Sequence, residues 1–226
     1  MKKIFTLIAV ATMAISAQAQ KITWTEDDIV SAGNLDGKTF SNEGFVLTLT
    51  DTDGKIAIDK NSAWFGTAES QEKSAGGRLK SGGKSSSKNQ MKLTIPTAGT
   101  LKVYVRTGSN SATDRNLILT QDETELYNQV VEEAQAVKVK GLDDSDPDKD
   151  TNVYPIISVS VAAGEVIVTY PTGSMNFYGF ELATSTGITS VKAAAQDGAI
   201  YNVAGQKVGS DYKGLVIKNG KKFIQK

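Results

Sequence analysis

Any chemistry in this chain has to be carried by carboxylates, tyrosines, lysines, arginines and amides, because its 226 residues include no histidine and no cysteine. That removes disulfides, thiol nucleophiles, histidine-based triads and zinc sites built on imidazole or thiolate. What remains is paired carboxylates for acid–base work, or an oxygen-ligated cation such as calcium. One run has the spacing for a cation. Asp143-Asp-Ser-Asp-Pro-Asp-Lys-Asp150 places carboxylates at alternate positions, Asp144, Asp146, Asp148 and Asp150, and these four are the candidate ligands of a structural calcium. The run departs from an EF-hand loop at Lys149, where Gly would make the sharp turn, and it lacks the closing Glu, so a solvated acidic loop is the competing reading. Glu26, Asp27, Asp28, Asp59, Glu69, Glu72 and Glu181 could supply a glycosidase pair or a lyase base, but no spacing joins any two of them.

The elements that must position these groups are strands. Phe45–Thr50, Lys55–Ile58, Met91–Ile95, Leu101–Val105, Leu117–Thr120, Val137–Lys140, Ile156–Val161 and Val166–Tyr170 alternate or are β-branched. Asp53-Gly54, Pro96 to Gly99, Ala163-Gly164 and Pro171-Thr-Gly173 supply the reversals between them. Short strands with regular turns indicate an all-β sandwich. Glu123–Ala136 admits either a short helix or a strand with an irregular loop. Because successive side chains point to opposite faces, Leu101, Val103 and Val105 should enter the core, which sends Lys102, Tyr104 and Arg106 outward together onto a wet face.

Both ends speak of export. Met1-Lys2-Lys3, the apolar run Ile4–Ile15 and Ala17-Gln18-Ala19 read as a signal peptide over residues 1–19, too short to cross a bilayer, with no later apolar stretch approaching the required length. Its removal leaves 23 basic residues against 25 acidic ones, so nucleic acid is not an expected partner. The basic residues Arg78, Lys80, Lys84, Lys88 and Lys92 read as a solvated Gly/Ser-rich loop. At the other end, Tyr201-Asn-Val-Ala-Gly-Gln-Lys-Val208 followed by Lys213-Gly-Leu-Val-Ile-Lys-Asn-Gly-Lys-Lys222 resembles the short C-terminal tails of exported Bacteroidota-type proteins, which are related to secretion-sorting domains. The resemblance implies a surface or secreted location, with cell-envelope or secretion components as partners of the tail. Residues 184–198 are small and polar enough for a linker, and residues 199–226 read as a short β-hairpin module turning at Asn219-Gly220. Completion of the sandwich by these strands is the alternative.

The order Gly76-Gly77-Arg78, a strand ending in Ile95-Pro96, Gly99-Thr-Leu-Lys-Val-Tyr-Val105, Arg115-Asn-Leu and Asn176-Phe-Tyr-Gly-Phe-Glu-Leu182 resembles a galactose-binding-like jelly roll over residues 20–183. The resemblance implies a non-catalytic, carbohydrate-binding β-sandwich, often with a structural calcium. Sugar binding asks for exposed aromatic rings beside planar hydrogen-bonding groups. Trp64, Tyr104, Arg106, Arg115 and Asn176 are the candidates, and Trp24 is expected to pack at the sandwich edge. Three readings follow: a module that binds a polysaccharide, a structural or adhesive surface protein making protein contacts, and a small carboxylate-based lyase or hydrolase.

Overall fold

The structure, a computed structural model, describes residues 19–184, 200–202, 204–209, 211–218 and 221–225. The expected signal peptide up to residue 18, the expected linker beyond Thr184 and the Asn219-Gly220 turn lie outside the described residues. The chain divides into two compact units, Met1–Thr186 and Gly187–Lys226.

The first unit is an all-β sandwich. One six-stranded sheet runs in the order Ile157–Val161, Gly99–Thr107, Met175–Ala183, Gly77–Lys80, Ala57–Lys60, with Gln20–Thr23 also pairing to Met175–Ala183. The other runs Thr124–Val130, Asn116–Gln121, Gly164–Thr169, Asn89–Ile95, Phe45–Asp51, Thr39–Asn42. Alternation fixes what each strand buries: Phe45, Leu47 and Leu49 from one, Met91, Leu93 and Ile95 from another, Leu101, Val103 and Val105 from a third. These side chains fill the space between the sheets. Trp24 joins this main core rather than its edge, meeting Phe40 and Phe180 edge-on at centroid distances of 5.8 and 6.4 Å. Glu123–Ala136 resolves into the strand Thr124–Val130 and a 3₁₀ turn at Glu133–Gln135. Arg78, Lys80 and Lys92 lie on strands instead of a loop, and each is paired: the first two with Asp59, the third with Glu165.

A third sheet changes the expected picture of one wet face per strand. Val137–Val139, Thr151–Tyr154, Trp64–Gly66 and Gln71–Lys73 form a small four-stranded sheet, in which Trp64–Gly66 runs parallel to Thr151–Tyr154. It brings Ala63, Phe65 and Tyr154 against Tyr104 and Tyr178 of the first sheet, making a second apolar cluster. Met175–Ala183, central in its sheet and packed on both faces, is therefore buried along almost its whole length. A bulge at Tyr178, between Phe177 and Gly179, lets the strand serve both cores. Phe177 and Phe180 stack in the main core at 5.6 Å, while Tyr178 turns to the second.

In the second unit, Lys207–Val208, Ile200–Asn202, Gly214–Lys218 and Lys221–Gln225 make a four-stranded antiparallel sheet. Asn202 ties its first turn, its side-chain oxygen accepting from the backbone N–H groups of Ala204 and Gln206. Val216 is buried, whereas Leu215, Phe223 and Ile224 are exposed.

Candidate functional site

Directly opposed residues in a sheet share a face, and the register of the third sheet separates two rows. Tyr154, Phe65 and Glu72 form the inner row; Val137, Val153, Trp64 and Lys73 form the outer one. Trp64 thus stands on the side away from the second core. It is partly exposed, and the Lys73 ammonium lies 5.7 Å from its ring centroid. The segment after Val137–Val139 returns through the acidic loop and closes the other flank. The result is a polar groove of about 600 Å³ lined by Ser62, Trp64, Lys73, Asp144, Asp150 and Asn152, among others.

The loop owes its shape to Asp143, the carboxylate outside the alternating set. It accepts hydrogen bonds from the Ser145 hydroxyl at 2.6 Å and the Ser145 N–H at 3.1 Å, and pairs with Lys149 at 2.7 Å. The Lys149 ammonium, followed by the Ser145 bonds, holds the Asp143 carboxyl well below the usual carboxylate range. Among the described residues no three carboxylates gather as metal ligands. Lys149, at the turn position of a calcium loop, places its own positive charge on Asp143.

The remaining sequence candidates lie elsewhere. Tyr104, Arg106 and Asn176 do share the outer face of the first sheet, with Arg106 opposite Asn176, but the third sheet covers them. Tyr104 is buried. Its ring meets Phe65 edge-on at 5.5 Å, carries the Lys21 ammonium 4.4 Å from its centroid, and its hydroxyl donates to Glu181 at 2.8 Å. Only 3% of the residue stays exposed, at the wall of a cavity of about 250 Å³ shared with Lys21, Glu72 and Tyr178. Burial and the carboxylates of Glu72 and Glu181 push its phenol far above the ordinary tyrosine value. Arg106 binds Glu133 at 3.0 Å and stacks on Tyr154 at 4.7 Å, and Asn176 donates to the Thr107 carbonyl at 3.3 Å. Arg115 pairs with Asp114 and donates to the Thr172 carbonyl. Trp64 alone of the aromatic and planar candidates lines the groove, joined there by Asp144 and Asp150 from the acidic run. Glu133, the hub of the Arg106 network, is an acid that sequence reasoning passed over; it accepts from Arg106, Asn152 and Tyr154 at once. Its only signal was its place in the ambiguous Glu123–Ala136 stretch.

No family model matches the chain, and no curated protein does. Solved structures with some likeness include the catalytic unit of a thermostable GH87 alpha-1,3-glucanase from Streptomyces thermodiastaticus, at TM-score 0.34 and 12% identity, covering 64% of this chain and 29% of that one. A GH87 alpha-1,3-glucanase catalytic domain in complex with tetrasaccharides gives TM-score 0.32 and 11% identity over 66% of this chain and 30% of that one. The Agl-KA catalytic domain gives 0.29 and 12% over 78% and 34%. This chain thus spans about a third of the length of those structures or less. At such scores the functional reading rests on the groove itself.

Proposed function

We propose that this is an exported, non-catalytic protein that binds a polysaccharide in the Trp64 groove, and that the C-terminal unit is its sorting or attachment signal. The observation that carries the reading is a partly exposed indole lining an open polar groove beside Asp144 and Asp150. An aromatic ring packs on the apolar face of a pyranose, while carboxylates, which only accept, take its hydroxyl protons two at a time. The groove also has room for more than one sugar unit by the usual scale of ligand sites, about 300 to 1,000 Å³. Binding is preferred to hydrolysis because Asp143 is committed to Lys149 and Ser145 within the loop, and a carboxylate spent on holding the loop is not free to act on a substrate. For the tail, the support is its resemblance to sorting-type tails and the exposed cross-strand pair Leu215 and Ile224, which gives a receptor apolar surface to hold.

A glycan array probed with the mature chain tests the proposal. The expected result is binding to a subset of polysaccharides that falls about tenfold or more in Trp64→Ala. Binding to no glycan, or binding unchanged in that variant, would move the assignment to a protein-contact role.

A further inference from the structure

A second cavity, of about 390 Å³, opens where the sandwich is not closed. It lies between Thr124–Val130, the edge strand of one sheet, and Ile157–Val161, the edge strand of the other, and is separate in its lining from the Trp64 groove. Val105, Val131 and Ile157 give it an apolar floor, and Tyr127 and Tyr154 contribute rings. What singles it out is the Tyr127 hydroxyl. Buried tyrosines place their hydroxyls against a partner, and the four buried in this unit do: Tyr104 on Glu181, Tyr154 on Glu133, Tyr170 on Asn89, Tyr178 on Asn61. Tyr127 is only half-buried and presents its hydroxyl to the cavity mouth. Tyr127 packs its ring against the main core, and burial alone pushes its phenol up, with no hydrogen bond contributing. The Gln129 and Ser158 side chains, both exposed, stand at the same rim and leave the cavity mouth polar and open to water.

We infer that this cavity is a second binding site, for one neutral hydroxylated ring of the size of a hexose. The volume lies in the small-ligand range. The apolar floor and the Tyr127 ring suit the carbon face of a pyranose; the phenol, amide and hydroxyl at the rim provide donors and acceptors for its hydroxyls. Charge selects further. Glu132 is the single ionisable group of the lining besides the tyrosines, and no cation faces it, so a sugar bearing a carboxylate or sulfate is disfavoured. Tyr154 is a fixed wall and no stacking platform, because Arg106 lies over its ring, Phe65 packs beside it and its hydroxyl is committed to Glu133 at 2.6 Å; stacking on the sugar falls to Tyr127.

The test uses the mature chain, isotope-labelled, titrated with methyl glycosides of glucose, galactose and mannose at millimolar concentrations, alongside glucuronic acid. Amide shift changes are expected at residues 127–131 and 154–158 with at least one neutral glycoside and weaker ones with glucuronic acid. Tyr127→Phe removes only the hydroxyl, and should weaken that binding about fivefold with its unliganded spectrum otherwise preserved. Trp64→Ala should leave it intact, which keeps failure of this site distinguishable from failure of the groove. Saturation of the same amides by indole but by no glycoside, equal affinity in Tyr127→Phe, preference for glucuronic acid, or an absence of any shift there would each overturn the inference.

Discussion

Trp64 and Phe65 stand on opposite faces of one three-residue strand, so substitutions at these neighbours test different properties. Phe65 is fully buried between two sheets, and Phe65→Ala should cost about 3 to 5 kcal/mol by chemical denaturation. Trp64→Ala, on the open side, should cost about 1 kcal/mol or less while abolishing most glycan binding. Equal destabilisation by both would mean that Trp64 is structural. Glu181 gives a residue-scale pH prediction. Burial pushes its carboxyl up, but hydrogen bonds from Lys102 and Tyr104, with the charges of Lys102 and Lys21, bring it to a net value below the ordinary 4.5. A carboxyl depressed on folding contributes stability that is complete above its unfolded value and is lost as pH falls through the folded one. The parent protein's resistance to denaturation should therefore fall as pH drops from the ordinary carboxylate range downward. Glu181→Gln should be less stable at neutral pH, with a shallower acid limb that converges on the parent at low pH; parallel curves would remove the role assigned to this carboxylate. That Tyr104 and Arg106 leave the main core together was legible from alternation. That they meet a second layer was not, because a period of two tells which side a residue takes and nothing about what packs there.

At the scale of elements, that second layer is fastened to the first sheet by side chains as well as by apolar contact. Glu133 accepts at once from Arg106 of the first sheet and from Asn152 and Tyr154 of the third, and Arg106 stays largely buried in the process. Glu133→Ala leaves that guanidinium with Asn110 and the Tyr154 ring but no carboxylate, and frees Asn152 and Tyr154 as well, so a cost of about 2 kcal/mol is expected. The loss should be local: amide exchange should rise in Val137–Val139 and Thr151–Tyr154 while Asn89–Ile95 in the main sandwich keeps its protection. Uniform acceleration across both would show that the third sheet is not a separable layer. The bulge in Met175–Ala183 gives a companion test. A Cβ on Gly179 would sit 2.9 Å from the Thr23 methyl and 3.0 Å from the Ile22 carbonyl oxygen, so Gly179→Ala must push the N-terminal strand away, at about 1 to 3 kcal/mol. Thermal unfolding of the variant checks it. Eight of the strands were readable from local alternation, with ends shifted by a residue or two. The pairing of Trp64–Gly66 with Thr151–Tyr154 was hidden because its strands are three and four residues long and nearly ninety positions apart, leaving no local period to detect. The groove inherited that opacity: its aromatic and acidic halves were each visible in the sequence, and only this parallel pairing puts them in one place.

For the whole molecule, the question is what the C-terminal unit does for the rest. Each unit completes its own hydrogen-bonded sheets, and the strands between Ile200 and Gln225 pair with one another. The main sandwich has its 27-residue apolar core without them. A chain ending at Thr184 should therefore unfold at the same midpoint as the sandwich of the full protein, within the few degrees that about 1 kcal/mol represents at this size. A drop well beyond that would make the tail strands part of the sandwich's stability. The isolated tail is the weaker partner on physical grounds, since among the described residues one buried valine and a short sheet provide little apolar burial, and Leu215, Phe223 and Ile224 are exposed. Such a surface is costly to keep unless something uses it. On the sorting proposal, replacing Leu215 and Ile224 by serine should leave the sandwich's melting and its glycan binding untouched while changing where the protein accumulates, as fractionation of producing cells would show. Unchanged distribution would sever the tail from the proposed sorting role.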